Sequence, residues 1–259
     1  MESRQAIEQA DKVLYLVSDP ISEIWIKKTN PNSESLGDCY AQGKHRMDIY
    51  KGITEYTLKY VREGLNVCEV YYGHPGIFVM PSHQSIRQAR AEGSNARMLP
   101  GISAEDCLFA DLGIDPSTHG CQSFEATNFV LRKPRFDTSS YLILWQIALI
   151  GDFTHNPRNV NKSGLGILVD FLEKYYDSNH QIFVYEAAQL AICRPIIQRV
   201  PLSKLATTDV HISQSSTLYI PPKISGTIDY SMADRLGISS ELRPRDFHFS
   251  VKKLFRLKR

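Results

Sequence analysis

An arginine and a tyrosine at helical spacing have side chains that could together take part in proton transfer. Arg46 and Tyr50 are four residues apart near the start of a predicted helix, 46–63, so their side chains share one face of it. A phenolate can accept a proton, and a guanidinium can lower the pKa of a nearby phenol or pair with an oxyanion. By spacing alone the commoner interpretation is structural: Tyr50 packs on the helix and Arg46 is a surface charge.

Two glycine-containing turns follow, each where a predicted strand is succeeded by a helix. The first turn, Tyr-Tyr-Gly-His-Pro-Gly at 71–76, separates a β-type run at 65–71 from a helix-type run at 82–91. The second turn, Pro-Gly-Ile-Ser-Ala-Glu-Asp at 100–106, follows a short run at 96–99 that we interpret as a strand. The chain therefore repeats a strand-to-helix turn within about 25 residues.

The chemistry of these turns predicts a ligand site. Ser103 and Asp106 have the spacing of a capping box and mark a helix start. In an open α/β sheet, turns of this kind lie at the carboxyl ends of the strands, where ligands bind. Glycine allows the backbone to approach a ligand closely, and the N–H groups at a helix start attract polar or anionic groups.

Hydrophobic periodicity predicts two α/β domains and a tail. The first domain, 1–118, begins with a helix at 2–10 and a buried strand at 12–17, and we expect a mainly parallel sheet. The second domain, 119–223, is expected to hold a mixed sheet. Its predicted elements are an amphipathic helix at 165–176 and strands at 121–130, 141–150, 181–187, 196–200 and 216–220. Residues 224–259 are a polar and then basic tail.

Composition excludes several function classes. The net charge of +2 over 259 residues does not favour a nucleic-acid partner, and the most apolar run, 141–150, is too short to span a bilayer. Five cysteines without a C-x-x-C pair predict reduced thiols, and no basic-then-apolar leader begins the chain. Because H-E-x-x-H and G-x-S-x-G are both absent, we predict neither a metal site nor a serine hydrolase. We expect a cytoplasmic protein without a membrane or nucleic-acid partner.

Residues 71–117, which contain both turns, resemble the tetrapyrrole-methylase superfamily of class III S-adenosylmethionine-dependent methyltransferases. Within it they are most similar to the borosin peptide α-N-methyltransferases. The resemblance continues through 142–146, 185–188 and 215–222, and it covers about residues 5–240. It implies two α/β domains with a cofactor cleft between them.

The resemblance also implies a reaction, in which a methyl group passes from S-adenosylmethionine to backbone amides of a ribosomally made peptide and S-adenosylhomocysteine is the product. An amide nitrogen is a poor nucleophile because its lone pair is delocalised, so a group must remove its proton or stabilise the imidate oxyanion. The resemblance implies that Arg46 activates the phenol or stabilises the oxyanion, that Tyr50 accepts the proton, and that Tyr40 and Tyr72 orient the substrate. The matching cofactor-binding positions are Gly73, His74, Pro75, Ile77, Val79, Ser103, Ala104, Gln146, Ala188, Ser216 and Thr217.

Two departures from the family pattern lead to further expectations. Family members place a strand and a glycine-rich loop before the first helix, but nothing here precedes Met1 and no G-x-G-x-x-G occurs. We therefore expect an N-terminally shortened member with an exposed sheet edge. Residues 224–259 contain no Val/Ile-rich segment, so we expect the precursor peptide to be a separate polypeptide, as in the split type. The resemblance also implies a homodimer.

Two alternative functions remain open from the sequence. A tetrapyrrole C-methyltransferase, acting on a precorrin- or uroporphyrinogen-like substrate, would need basic groups for the substrate carboxylates, and Arg132, Lys133 and Arg135 could supply some of them. A non-catalytic homologue that binds a peptide or another subunit would be consistent with the missing glycine-rich loop. The basic run at 252–259 fits either an acidic partner or a solvated tail.

Overall fold

A computed structural model describes residues 2–39, 43–154, 160–190, 192–223 and 228–238, and two separate sheets organise these residues. The helices are α1 (Glu2–Gln9), α2 (Pro20–Thr29), α3 (Arg46–Arg62), α4 (Met80–Ala91), α5 (Ala104–Leu112), α6 (Pro116–His119), α7 (Ala126–Arg132), α8 (Lys162–Leu172) and α9 (Tyr230–Arg235). The strands are β1 (Lys12–Leu16), β2 (Ser33–Ser35), β3 (Val67–Tyr71), β4 (Cys121–Glu125), β5 (Tyr141–Trp145), β6 (Gln181–Glu186), β7 (Ile196–Pro201) and β8 (Thr217–Ile220).

The first sheet is parallel, with strand order β2-β1-β3. Its central strand is covered on both faces, which explains the continuous apolar run in β1. Val13 and Tyr15 pack with α1 and α2, whereas Leu14 packs with Ile49 and Ile53 of α3. The expected mainly parallel N-terminal sheet is confirmed.

The second sheet is mixed, with strand order β4-β5-β8-β6-β7. Only the β4–β5 pair of this sheet is parallel; the other three pairs are antiparallel. Leu142, Leu144 and Val184 point into the larger core with α7 and α8, while Trp145 and Tyr185 lie on the opposite face, which α5 covers. The α/β class with a mixed second sheet is therefore confirmed, and no helix in the described part of the chain is long and apolar enough to cross a membrane.

The predicted strand at 96–99 is wrong. Residues 94–103 are irregular, and a cavity of about 880 Å³ lies between this segment, β3 and α1. A strand needs a hydrogen-bonded neighbour, and within the described residues β3 is the outer strand of its sheet. The segment therefore runs beside the sheet without joining it. The polar connection before α3 also contains one strand that we did not predict, the three-residue β2.

Two apolar runs in the second half are shorter strands than predicted. The strand expected at 121–130 ends at Glu125, whose side chain accepts from the Asn128 N–H and begins α7. The strand expected at 141–150 ends at Trp145, because Gln146 adopts a left-handed conformation with φ of 57°. A single 3-10 turn, Ile147–Leu149, follows.

A carboxyl group on β3 borders the cavity and is enclosed by hydroxyl groups. Glu69 accepts from Thr57 Oγ1 at 2.5 Å, from Ser85 Oγ at 2.9 Å and from Tyr71 Oη at 3.3 Å. Burial raises the pKa of Glu69 although these hydrogen bonds oppose the shift. The unfolded chain ionises this group near pH 4.3 and the folded chain ionises it at higher pH, so Glu69 lowers the free energy of unfolding as pH rises through that interval.

We expect Glu69→Gln to stabilise the protein at pH 8 and to leave its stability nearly unchanged at pH 3.5. The amide oxygen can still accept from Thr57 and Ser85, and the amide N–H₂ can donate to Tyr71, so only the ionisation is removed. Urea unfolding at the two pH values measures the difference, with the exposed Glu63→Gln as control. Equal effects at both pH values would contradict a raised pKa for Glu69.

Candidate active site at the facing sheet edges

Four of the predicted cofactor positions lie at one edge of the second sheet. In the strand register, Leu218 pairs with both Leu144 and Val184. The end of β5, the end of β6 and the start of β8 consequently lie side by side. This arrangement brings Gln146, Ala188, Ser216 and Thr217 to the same edge, although as many as 71 residues separate them in the chain.

The first sheet contributes Tyr72 and the glycine turn at the carboxyl ends of its strands. The Tyr72 N–H donates to the Leu16 carbonyl at 3.1 Å, and Gly73 follows with φ of 70°. A Cβ on Gly101 would lie 2.4 Å from the Gly73 carbonyl oxygen, so the two turns touch through backbone.

Local hydrogen bonds shape the turn at residues 73–79. The Gly76 N–H donates to His74 Nδ1 at 2.9 Å, and the Ile77 N–H donates to the His74 carbonyl at 3.2 Å. The buried Ser82 hydroxyl bonds to the carbonyls of Pro75 and Val79, at 2.5 and 2.9 Å. The His74 imidazole therefore has a structural role in the turn, and cofactor contact by His74 remains a prediction.

The predicted capping box at the start of α5 is confirmed. Asp106 Oδ2 accepts from the Ser103 N–H and from Ser103 Oγ, both at 2.7 Å, and the Asp106 N–H donates back to Ser103 Oγ at 3.2 Å. These bonds, led by the Ser103 hydroxyl, lower the pKa of Asp106, and the nearby His74 adds to the effect. Ser103 is 5% exposed and Ala104 begins the helix, so this cap is a rigid part of the second turn.

Arg46 joins the first sheet's α3 to the loop after β5. Its guanidinium donates to Gln146 Oε1 at 3.2 Å and to the Asp152 carbonyl at 2.5 Å. The Phe153 ring lies under it, with 5.6 Å from Cζ to the ring centroid, and the Arg46 N–H donates to the Phe153 carbonyl. Arg46 is therefore not a free surface charge, because its bonds hold it where the facing edges of the two sheets meet, a region that we call the cleft.

Tyr50, on α3, and Tyr72, directly after β3, lie close enough to interact electrostatically. Tyr50 is half-buried and packs against the α3 core, so part of its surface has the structural role that spacing alone suggested. Tyr72 exposes 61% of its surface, yet burial of the phenol and the nearby Tyr50 raise its pKa. Tyr72 is thus a hydrogen-bond donor at neutral pH. The fourth predicted residue, Tyr40, lies outside the described residues.

Two strained residues that we did not single out for their conformation line the cleft. Phe78 and Gln146 both have φ of 57°, which bulky residues rarely adopt and which costs on the order of 1–3 kcal/mol each. The Phe78 ring stacks on Trp145, with centroids 4.9 Å apart. Strain of this kind is concentrated at functional sites, and the strained Gln146 accepts a hydrogen bond from the Arg46 guanidinium.

A buried carboxylate supports the remaining edge positions. Glu186 is 8% exposed and accepts from Ser216 Oγ at 2.6 Å. Ser216 Oγ also accepts from the Ser213 N–H at 2.8 Å, so the turn before β8 is fixed from both sides. Thr217 is 3% exposed, whereas Ala188 is accessible. The sequence identified Ser216 but missed Glu186, which an apolar strand pattern gives no reason to select.

The basic residues weighed for a tetrapyrrole substrate lie at the other end of the second sheet. β4 ends at the cleft edge, α7 runs back from it, and β5 starts again at the far edge. Arg132 ends α7 and donates to Asn128, and Lys133 caps this helix. Because of these positions, we do not assign Arg132 and Lys133 to the binding of substrate carboxylates in the cleft.

Comparison with known proteins shows the family of this chain. The family model for tetrapyrrole (corrin/porphyrin) methylases matches residues 1–201. A "methyltransferase/ribosomally synthesized cyclic peptide gymnopeptides precursor" from Gymnopus fusipes is 47% identical over 255 residues, covering 96% of this chain and 60% of the relative. A "methyltransferase/ribosomally synthesized type I borosin cyclic peptide precursor" from Serendipita vermifera subsp. bescii is 42% identical over 245 residues, covering 93% of this chain and 59% of the relative.

A solved structure shares the fold at low sequence identity. A cobalt precorrin-4 methyltransferase superposes with a TM-score of 0.57 at 17% identity, covering 85% of this chain and 87% of that one. The chain spans about three fifths of the length of the two fungal relatives. From the family match over 201 of its 259 residues, and from the two-sheet fold, this chain belongs to the tetrapyrrole methylase family.

Proposed function

We propose that this chain is an S-adenosylmethionine-dependent α-N-methyltransferase that acts on backbone amides of a peptide. The observation that carries the proposal is the position of Arg46, held by Gln146 and the Asp152 carbonyl one helical turn before Tyr50, which in turn lies near Tyr72. The names of the relatives, which combine a methyltransferase with a peptide precursor, support the substrate class. A cytoplasmic location and a homodimer are parts of the same proposal.

The cleft residues suit the cofactor. The Gly73 turn offers backbone without a Cβ, and Ile77 and Ala188 present accessible apolar surface on opposite sides of the cleft. We assign the cofactor to these residues and to Pro75, Val79, Ser103, Ala104, Gln146, Ser216 and Thr217. When bound, S-adenosylmethionine supplies a methyl group on a sulfonium, already activated for transfer.

The protein then has to prepare the amide nitrogen. The bonds of Arg46 to described residues use two of its five N–H donors, so the guanidinium has donors for the amide oxygen. As the nitrogen loses its proton, negative charge moves to that oxygen, and a fixed cation stabilises it. In this proposal the phenolate form of Tyr50 takes the amide proton and becomes the phenol, and Tyr72, whose pKa is raised, donates a hydrogen bond that orients the peptide.

The experiment has two steps. Calorimetric titration with S-adenosylmethionine is expected to give one site per chain with micromolar affinity, a range common for cofactor sites. The chain is then incubated with methyl-labelled cofactor and a synthetic Val/Ile-rich peptide, and tandem mass spectrometry locates the label on backbone nitrogens. Absence of cofactor binding, or label on side chains only, would contradict the proposal.

The split arrangement, with a substrate on a separate polypeptide, has its own test. Tyr230–Arg235 form a short helix, the described residues 228–238 contain no Val/Ile-rich segment, and residues 239–259 lie outside the described part of the chain. Mass analysis of the chain expressed alone is expected to find no backbone methylation in 240–259. Methylated amides there would contradict a substrate supplied in trans.

A further inference from the structure

Trp145 connects the two halves of the cleft. It is the last residue of β5 and is 8% exposed, on the face of the second sheet that α5 covers. Its indole Nε1–H donates to Ser123 Oγ at 2.5 Å, and Ser123 Oγ donates to Glu105 Oε2 at 3.0 Å. The ring is therefore fixed in rotation by a chain of two hydrogen bonds that ends in the first turn of α5.

One face of the Trp145 ring contacts the 73–79 turn, which follows the first sheet's β3. The Phe78 ring lies on Trp145 with centroids 4.9 Å apart and planes inclined by 34°. Phe78 holds a φ of 57°, which an aromatic residue adopts only when its surroundings impose it. Because Phe78 lies in the turn that starts at Gly73, the position of the indole determines where the end of that turn lies.

The residue that follows Trp145 in the chain is hydrogen-bonded to the Arg46 guanidinium. Gln146 follows Trp145 directly, also has φ of 57°, and accepts from Arg46 Nη1 at 3.2 Å. A shift of the indole would move Phe78 on one side and the Gln146 side chain on the other. Both strained residues of the cleft are thus in contact with Trp145 or bonded to it.

We infer that Trp145 is a positioning residue that sets the distance between the 73–79 turn and Arg46, with Ser123 and Glu105 fixing its ring. The inference depends on the proposed function only in taking that turn as part of the cofactor site. A purely structural Trp145 would contribute to core stability alone and would leave the turn unaffected.

Hydrogen exchange in the protein without ligand tests this directly. Trp145→Leu removes the ring under Phe78, and Ser123→Ala removes only the acceptor of the indole N–H. We expect amide exchange within residues 73–79 to become about tenfold faster in Trp145→Leu and about threefold faster in Ser123→Ala, because local opening of that turn becomes easier. Phe171→Leu, a buried aromatic position packed on Phe129 in the other core, is the control.

Fluorescence provides a second readout. The chain has two tryptophans, and Trp25, on α2, is 42% exposed. In a Trp25→Phe background the indole of Trp145 is the sole tryptophan fluorophore, and S-adenosylhomocysteine is expected to change its emission as the turn closes on the ligand. Ser123→Ala should reduce the amplitude of this change in emission, and it should weaken the affinity for S-adenosylhomocysteine by about threefold.

The outcomes separate this inference from the proposed function. Unchanged exchange at 73–79 in both variants, or an equal increase in Phe171→Leu, would overturn the positioning role. Selective loosening of the turn in a protein that fails to bind S-adenosylhomocysteine would support the role of Trp145 and contradict the proposed cofactor. Binding without any change in Trp145 emission would overturn the coupling of this residue to the site.

Discussion

Replacing Arg46 with alanine is expected to lower kcat for peptide methylation by about 10²–10³, the usual cost of losing a fixed donor to a developing oxyanion. The same change removes the bonds to Gln146 Oε1 and to the Asp152 carbonyl. Affinity for S-adenosylhomocysteine should fall much less, since Gln146 is the one assigned cofactor position in the described part of the chain to which the Arg46 side chain is bonded. Separate measurement of kcat and of cofactor affinity distinguishes these effects.

Two further variants control this experiment. Arg46→Lys keeps the charge but loses the planar fork that reaches two acceptors at once, so we expect an intermediate kcat. Arg62→Gln breaks exposed ion pairs with Glu55 and Glu92 at the far end of the same helix and should leave kcat unchanged. Near-native methylation by Arg46→Ala would contradict the assigned role of the guanidinium.

The helix boundaries near the site follow from local sequence signals. Helix 46–63 was predicted from its apolar stripe, and α3 ends one residue earlier, at Arg62, with Gly64 at φ of 84°. The capping box of Ser103 and Asp106 is equally local and is confirmed. These elements depend on residues within one or two turns of each other, which is why periodicity and capping rules identify them.

Strand ends were predicted less well because the decisive signals are weak or distant. An apolar run continues past Glu125 and past Trp145, and alternation alone cannot show where a strand becomes a helix or a turn. At 96–99 the run has strand composition but no neighbour to pair with. A strand is a property of a pair, so a single sequence segment cannot establish it.

The least predictable features are those that connect the two halves of the cleft. The bond between Arg46 and Gln146 joins residues 100 positions apart, and the ring contact of Phe78 with Trp145 joins residues 67 positions apart. The left-handed conformation of Phe78 has no local cause, since phenylalanine disfavours it. Resemblance identified Gln146 as a site position, but its contact and its strain depend on tertiary structure.

Gly101→Ala is expected to be the most damaging of the glycine substitutions in the cleft. The added Cβ would lie 2.4 Å from the Gly73 carbonyl oxygen and 3.3 Å from the His74 Cα, and both neighbours are backbone atoms that cannot rotate away. Overpacking of this kind costs about 1–3 kcal/mol. Relief requires the two turns to separate, so we expect S-adenosylhomocysteine binding to weaken by at least about tenfold, measured by calorimetry alongside urea unfolding.

Gly52→Ala is the matched control because the same methyl group is added where there is room for it. Gly52 lies inside α3, and its Cβ would meet nothing within 4 Å, so this change should stabilise the helix by about 0.5–1 kcal/mol without affecting cofactor binding. Changes in stability of opposite sign for the two substitutions would show that contact between the turns, rather than glycine content, maintains the cleft. If Gly101→Ala instead kept native stability and affinity, the turns would have to be separated in solution, and the cofactor could not be held by the backbone at Gly73 in the way proposed.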